Sequence, residues 1–187
     1  LVRVAGHSPD AVGLALDTGL DALMVPMVNS ADEARRLARA CAFPPSGERS
    51  YGGRRAIDLW GREYHANAAA QPLLVAQIET PEAVEAIAEV KGVGALFFGG
   101  EDVKIRLGVP NSAGMLDVPE VARAMERTAR AARQAGKAAG CVAPPGDLVR
   151  RAVAMGYNFM RGHGDAPLLG EGARRLRDLR QALRETP

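Results

Sequence analysis

The chain has 187 residues, of which 47% are hydrophobic and 25% charged, which fits one globular domain with a substantial core. Its net charge is only +2, so composition gives no basis for binding nucleic acid or an anionic membrane. No apolar run approaches the roughly 20 residues that span a bilayer. The opening sequence LVRVAGHSPD lacks a charged region before an apolar core, so we predict no signal peptide and expect a cytoplasmic protein.

Short aliphatic segments alternate with helical segments along the chain. Aliphatic runs predict six strands, at residues 1–4, 21–28, 73–79, 93–100, 137–143 and 157–162. Helical patterns follow them, at residues 9–19, 31–42, 81–90, 119–135, 147–155 and 172–183. This alternation of strand and helix is typical of a parallel sheet covered by helices.

Helix starts are marked by capping residues. Ser8 precedes a proline at the first helical position, and Ser30 and Glu33 have the spacing of a capping box. Thr80 precedes Pro81 at the third helix, and Asp117 with Glu120 has capping-box spacing at the fourth. These signals predict where the helices begin.

The unit length favours a barrel. Six units of about 31 residues match the spacing of a (β/α)₈ barrel, which has eight units in about 250 residues. We therefore predict an α/β fold of the TIM-barrel type, with about six of the eight units, as a single partial domain over residues 1–187. A doubly wound sheet is the alternative, although no GxGxxG motif follows the first strand.

Residues 43–70 interrupt the regular pattern. This segment is rich in Pro and Gly and carries four arginines and the only Trp. A loop of such length is usually functional or disordered.

Cysteine and histidine usage excludes common metal motifs. Cys41 and Cys141 lie far apart and form no CxxC motif. We expect two buried free thiols, with a structural disulfide as the alternative. The three histidines have no metal-ligand spacing with cysteine or with each other.

Polar residues at the carboxyl ends of the predicted strands are the candidate site, because reactive groups of parallel barrels lie there. Gln77 and Glu79 are two residues apart, so their side chains point to the same face of the third strand. The remaining candidates at strand ends are Arg3, Gly99, Gly100, Glu101, Asp102, Arg161, His163 and Asp165.

Glu79 and Asp102 end neighbouring strands. Two such carboxylates, with water completing the shell, form a typical site for Mg²⁺ or Mn²⁺. Without a cation they would repel, and one would hold a proton. The Gly99-Gly100 pair allows close approach of an anionic ligand, and Arg3 fits a substrate carboxylate or an oxyanion.

Each candidate also has a simpler structural explanation. In the structural explanation, Glu79 would cap the next helix or pair with a lysine, and Asp102 would begin a turn or helix. Arg3 is then a solvated surface residue, and His163 is structural. The combination of two carboxylates on adjacent strands favours the metal site.

Three stretches carry a family resemblance: VPMVNSADEAR, PPSGERS and QIET. Together with the rest of the chain they resemble the HpcH/HpaI aldolase family, whose members are class II pyruvate-dependent aldolases, including 2-dehydro-3-deoxyglucarate aldolase. The resemblance implies a (β/α)₈ barrel and a homo-oligomer, usually a hexamer with an exchanged C-terminal helix. It also implies pyruvate or another 2-oxo acid and an aldehyde as small-molecule partners.

The resemblance also implies residue roles. Glu79 and Asp102 hold the divalent metal, which is Mg²⁺ or Mn²⁺, with Co²⁺ possible. Gln77 and the backbone at Gly99, Gly100 and Glu101 orient pyruvate, and Arg3 is the catalytic residue that contacts its carboxylate and keto oxygen. The metal acts as a Lewis acid and stabilises the enolate that attacks the aldehyde or leaves in the reverse direction.

The chain departs from the family pattern beside the site. It has Gly-Gly-Glu-Asp at 99–102, where the family usually has Gly-Pro-(Ser/Ala)-Asp. Lys104 and Arg106 follow in place of a small, Ser-rich segment, and His163 lies near a position usually occupied by Gly. These departures bear on substrate choice, and Glu101 bears on metal affinity.

Family members have roughly two further strand–helix units before the point matching Leu1, which hold a His-Asp pair for acid/base chemistry. We expect a truncated sequence, with a barrel completed by another segment or a degenerate relative as alternatives. The chain alone is then weak or inactive, because acid/base catalysis contributes roughly 10²–10⁴-fold. Two other functions stay open: a non-catalytic subunit or scaffold, and a citrate-lyase-like lyase of acyl-CoA thioesters. The segment PPSGERSYGGRRA favours the aldolase.

Overall fold

Six strands form one parallel sheet in the computed structural model, which describes residues 1–67, 71–162 and 164–185. The strands are β1 (Val2–Arg3), β2 (Ala22–Val25), β3 (Leu73–Ile78), β4 (Val93–Phe98), β5 (Ala138–Val142) and β6 (Phe159–Arg161). They pair in chain order, each hydrogen-bonded to the next. The predicted α/β class and all six predicted strands are confirmed.

Eight α-helices are found among the described residues. They are α1 (Pro9–Leu16), α2 (Ala31–Cys41), α3 (Arg54–Trp60), α4 (Val84–Ala88), α5 (Gly100–Arg106), α6 (Pro119–Gln134), α7 (Asp147–Met155) and α8 (Asp165–Glu185). Short 3₁₀ helices cover Tyr64–Ala66 and Pro81–Ala83. The short helix α5 was not predicted, and α8 begins seven residues before the predicted residue 172.

Two of the predicted helix caps are confirmed by side-chain hydrogen bonds. Ser8 accepts from the N–H of Ala11 at 3.2 Å, and Ser30 accepts from the N–H of Glu33 at 3.2 Å. The other two predictions are wrong in detail. Thr80 occupies a cap position but donates its hydroxyl proton to Asn29, and α6 begins after Val118 without a side-chain cap.

Each face of the sheet has its own apolar cluster. The larger cluster lies between the sheet and its helices and includes Leu23, Leu74 and Leu96. A smaller cluster on the opposite face is built on Met24, Val75, Ala95 and Phe97, with Ala138 and Phe159 against it. Because side chains alternate along a strand, a residue two positions from a member of this smaller cluster on the same strand lies on the same face of the sheet.

The described part of the segment 43–70, residues 43–67, is more ordered than the sequence indicated. It contains α3 and a 3₁₀ helix, and Phe43, Ala56 and Tyr64 form a third buried cluster. Arg49 is buried there, with its guanidinium over the ring of Phe43 at 4.6 Å. Residues 68–70 lie outside the described part of the chain. The arginine that looked like a loop residue is therefore part of a packed core.

Both cysteines are buried and free, which confirms the predicted free thiols. Within the described residues, helices of sufficient length and apolarity to cross a membrane are absent.

Candidate active site

Glu79 is the central buried acid of the site. It follows β3 directly and is only 3% exposed. Because side chains alternate between the two faces of a strand, Glu79 lies on the same side as Gln77 and Val75. Its Oε2 accepts a 2.9 Å hydrogen bond from the main-chain N–H of Met27. The carboxylate is thus fixed by the turn that follows the neighbouring strand β2.

The turn after β2 presents this N–H through an unusual backbone conformation. Met27 has φ of 54°, in the left-handed region that few non-glycine residues adopt. Pro26 and this left-handed residue end β2 at Val25, earlier than the predicted residue 28. The strained turn and the buried carboxylate are therefore structurally linked.

Asp102 approaches Glu79 from the next strand unit. Strand β4 is the neighbour of β3, and helix α5 begins soon after β4 ends. Asp102 lies in the first turn of α5 and is half-buried. Burial first, and then the Asp102 carboxylate, raise the pKa of Glu79 above its ordinary value. The Met27 N–H and the charge of Arg3 act on this pKa in the opposite direction. Two interacting acids are therefore placed together, as the sequence predicts.

Gly99, which follows β4, leaves the space that lets its backbone approach Glu79, which follows β3. A Cβ added at Gly99 would lie 2.5 Å from Cγ of Glu79 and 3.2 Å from Nε2 of Gln77. Real Cβ atoms essentially never approach another atom as closely as 2.5 Å. The N–H of Gly99 also donates to the carbonyl of Ile78 at 2.8 Å. Glycine is therefore needed here for close approach.

Gln77 offers an unused acceptor. Its Oε1 is buried and has no hydrogen-bond partner among the described residues. An unpaired buried carbonyl costs roughly 1–3 kcal/mol. This oxygen is therefore available to a water, a cation or a ligand donor.

Arg3 is less closely integrated. It is exposed at the end of β1, where its register partner is Met24. Cross-strand partners point to the same side, so Arg3 shares the face of Val75 and Gln77. Its charge acts at Glu79 without a direct ion pair.

A cavity of about 610 Å³ opens beside these groups. Gln77, Gly99, Gly100, Glu101 and Asp102 line it from the strand ends. Arg161 also lines it, whereas Asp165 begins α8 and His163 lies outside the described residues. Six of the predicted residues thus share one cavity, which is large enough for a small-molecule ligand.

The donor set fits a hard divalent cation. No group of three or more His, Cys, Asp or Glu residues is arranged for a metal within residues 1–67, 71–162 and 164–185. Two carboxylates with an unpaired amide oxygen nearby suit a Mg²⁺-like ion, which keeps several positions for water and substrate. Glu101 is instead paired with Lys104, whose Nζ lies 3.1 Å from its Oε2.

Sequence reasoning missed two contributors. The Met27 N–H gives no side-chain signal, so only the folded turn reveals it. Lys104 is buried with its ammonium hydrogen-bonded, although it was recognised only as a departure from a family pattern. Its spacing to Glu101, three residues along a helix, is a signal that could have found their pairing.

The fold and the strand-end site define an α/β protein with its candidate active site at the carboxyl edge of a parallel sheet. A model of the family described as HpcH/HpaI aldolase/citrate lyase matches residues 1–168. The chain belongs to this family.

Named relatives agree with this assignment. The chain is 39% identical over 175 residues to a 4-hydroxy-2-oxovalerate aldolase of Rhodococcus jostii (strain RHA1), covering 91% of this chain and 66% of that protein. It is 37% identical over 166 residues to a 2-keto-3-deoxy-L-rhamnonate aldolase of Shigella sonnei (strain Ss046), covering 86% and 61%. The chain thus spans less than two thirds of the length of these curated relatives.

Solved structures show the same fold. A HpcH/HpaI aldolase/citrate lyase family protein from Burkholderia cenocepacia J2315 superposes with a TM-score of 0.80 at 35% identity, covering 98% of this chain and 72% of that one. Macrophomate synthase superposes with a TM-score of 0.83 at 23% identity, covering 100% and 67%. The second likeness concerns the fold alone.

Proposed function

We propose that the protein is a divalent-metal-dependent aldolase that cleaves 4-hydroxy-2-oxo or 2-dehydro-3-deoxy acids into pyruvate and an aldehyde, and joins them in reverse. The observation that carries this proposal is the pairing of buried Glu79 with half-buried Asp102, next to the unpaired carbonyl of Gln77. Two relatives at 37–39% identity are named as aldolases of such acids, which supports the same reaction class.

Glu79 and Asp102 would hold the cation, which we expect to be Mg²⁺ or Mn²⁺, or alternatively Co²⁺. When bound, a divalent cation supplies Lewis-acid polarisation of the substrate ketone and so acidifies the adjacent carbon. A cation also removes the repulsion that raises the pKa of Glu79, because both carboxylates are then neutralised.

The other residues bind and orient the 2-oxo acid. Gln77 and the backbone at Gly99–Glu101 line the cavity where its carboxylate and keto groups would lie. Arg3 supplies positive charge toward the same point, since its field already acts at Glu79. The Met27 N–H keeps Glu79 in one orientation. Such fixed groups favour a reaction because they need no reorganisation when charge develops.

Mn²⁺ titration by calorimetry tests the site independently of turnover. We expect Glu79→Ala and Asp102→Asn to weaken Mn²⁺ binding by about tenfold or more, since even the loss of a residue that supports a metal ligand costs about that much. Glu126→Gln, at an exposed carboxylate on α6, is the matched control and should bind as the wild type does. Equal Mn²⁺ affinity in Glu79→Ala and wild type would reject the site.

The chemistry is tested in two steps. Exchange of the pyruvate methyl protons in D₂O measures proton removal without any aldehyde, and it should require Mn²⁺ and Asp102. Pyruvate release from 4-hydroxy-2-oxovalerate and 2-keto-3-deoxy-L-rhamnonate then measures carbon–carbon cleavage. Tight binding of acyl-CoA thioesters would favour the lyase alternative. Metal binding without either reaction would favour a non-catalytic subunit.

We also infer that the six strands are part of a (β/α)₈ barrel in a homo-oligomer. The sequential parallel order of the strands supports the barrel. Helix α8 supports association, because its leucines 169, 176 and 183 recur every seven residues and are all exposed. Light scattering of the purified protein tests the oligomer, and a monomeric mass would contradict it.

A further inference from the structure

Lys104 is a buried ammonium with all its donors used. Its side chain is 2% exposed, and Nζ donates to the carbonyls of Asn111 at 2.9 Å and Ala113 at 3.1 Å. Glu101 Oε2 lies 3.1 Å from the same nitrogen. An ammonium has three donors, so the three acceptors satisfy it. Lys104 is therefore not free to act as a base or a nucleophile.

The two carbonyls belong to a segment that forms one wall of the cavity. We call residues 107–117, which follow α5, the wall segment. Six of its residues, Asn111 among them, line the 610 Å³ cavity, together with Gln77 and Asp102. The N–H of Val109 donates to the carbonyl of Lys104 at 2.9 Å, which turns the segment back over α5. Its position therefore determines the width of the cavity.

The wall segment also touches the backbone at the site. A Cβ added at Gly100 would lie 2.2 Å from Sδ of Met115, so the methionine fills the space that this glycine leaves. Gly100 begins α5, the helix that carries Asp102. A shift of the wall segment would consequently change both the cavity and the surroundings of Asp102.

We propose that Lys104 is a specificity-determining positioning residue, which fastens the wall segment to α5 and so sets the size of the aldehyde portion that the cavity accepts. This inference rests on the proposed aldolase function. The physical reason is the cost of leaving buried carbonyls unpaired: without the ammonium, Asn111 and Ala113 must find other donors, and the segment moves to reach water. Glu101 completes the arrangement by supplying the counter-charge.

The test compares substrates of different length in Lys104→Met and wild type. Pyruvate release is measured with 4-hydroxy-2-oxo acids of five, six and seven carbons, with Mn²⁺ saturating. We expect the ratio of kcat/KM between the longest and shortest acids to change by about tenfold or more, the discrimination that one methylene supplies in a fitted pocket. The change should appear in KM more than in kcat. Amide hydrogen exchange within residues 107–117 should accelerate in the same variant.

Two further variants separate positioning from a general defect. Glu101→Gln removes the counter-charge at a side chain that is 58% exposed, so we expect it to fold normally and to shift the substrate ratio in the same direction by less. Lys91→Met, at an exposed lysine, is the matched control and should leave the ratio unchanged.

The outcomes distinguish this inference from the proposed function. The inference is overturned if the wild type cleaves the acids but the ratio of kcat/KM between the longest and shortest acids is unchanged in both Lys104→Met and Glu101→Gln. The proposed aldolase function would not be affected by that result. Unchanged hydrogen exchange in Lys104→Met overturns the fastening role itself. If the wild-type protein, assayed together with any residues that precede Leu1 in the natural protein, cleaves none of the acids although it binds Mn²⁺, the proposed function fails and the specificity role fails with it.

Discussion

The main-chain N–H of Met27 donates a 2.9 Å hydrogen bond to Oε2 of Glu79, across 52 positions of sequence. This bond joins the turn after β2 to the buried acid after β3. It holds the carboxylate in place but does not offset its burial and the repulsion by Asp102, which together keep the pKa of Glu79 raised. Without a cation, the site therefore opposes folding.

Glu79→Gln should stabilise the metal-free protein at neutral pH. Because the folded-state pKa is raised above the ordinary carboxyl value of about 4.3, the folded state holds more protons than the unfolded state. The free energy of unfolding of the wild type therefore falls as pH rises from the ordinary carboxyl pKa to the raised pKa of the folded state. Glutamine has no such proton and still accepts from Met27.

Urea unfolding in chelator across a pH series checks this expectation. The advantage of Glu79→Gln should vanish below the ordinary carboxyl pKa, where both proteins are uncharged at this position. Excess Mn²⁺ should reverse the order, because a ligand stabilises only the protein that binds it. A wild type that is the more stable protein at neutral pH in chelator contradicts the argument.

Gly99→Ala should damage both the fold and the metal site. The new Cβ would meet Glu79 Cγ at 2.5 Å, and forced overpacking costs about 1–3 kcal/mol. Displacement of Glu79 should also weaken Mn²⁺ binding. Chemical unfolding and calorimetry measure the two effects.

Gly13→Ala is the matched control for this substitution. Gly13 lies inside α1, and nothing is within 4 Å of its added Cβ. Alanine should therefore stabilise the protein by about 0.5–1 kcal/mol, because glycine is unfavourable in a helix. Equal stability changes at the two glycines would mean that the close approach at Gly99 is unimportant.

Tyr157→Phe should destabilise the core by about 1–2 kcal/mol, since a buried hydrogen bond is lost. Tyr157 is 2% exposed, and its hydroxyl donates to the carbonyl of Met125 at 2.8 Å. Tyr51→Phe is the control, because Tyr51 is 48% exposed and water replaces its bond to Arg62. Thermal and urea unfolding compare the two variants, and a cost at Tyr51 equal to that at Tyr157 would argue against burial as the cause.

The two thiols should react slowly in the native protein. Burial raises the pKa of Cys41 and of Cys141 to about 11, with Arg49 opposing the rise at Cys41. At pH 8, only about one thiol in a thousand is then the reactive thiolate. A chromogenic disulfide reagent should label both thiols rapidly in guanidinium chloride and neither rapidly in buffer. Fast labelling of the native protein would show that one of these sites opens.

Local spacing was sufficient for much of this protein. Aliphatic runs located all six strands, and Ser8 and Ser30 marked two helix starts, because capping and strand burial depend on neighbours in the sequence. The Glu79–Asp102 pair was also predictable. Parallel strands bring their carboxyl ends to one edge, so acids that end adjacent strands lie close together.

Other features depended on contacts that sequence spacing does not contain. The burial of Arg49 required Phe43 and Tyr64 to pack around it, and this packing turned an apparent loop into a small core. The left-handed backbone of Met27 is stabilised by its distant bond to Glu79. The sequence marked Lys104 only as a departure from the family pattern, and the fold shows that two carbonyls and Glu101 surround its ammonium. The sequence by itself determined the sheet and the pair of acids, because both follow from strand order. Only the tertiary structure decided which polar groups are desolvated, because burial is a property of the packed chain.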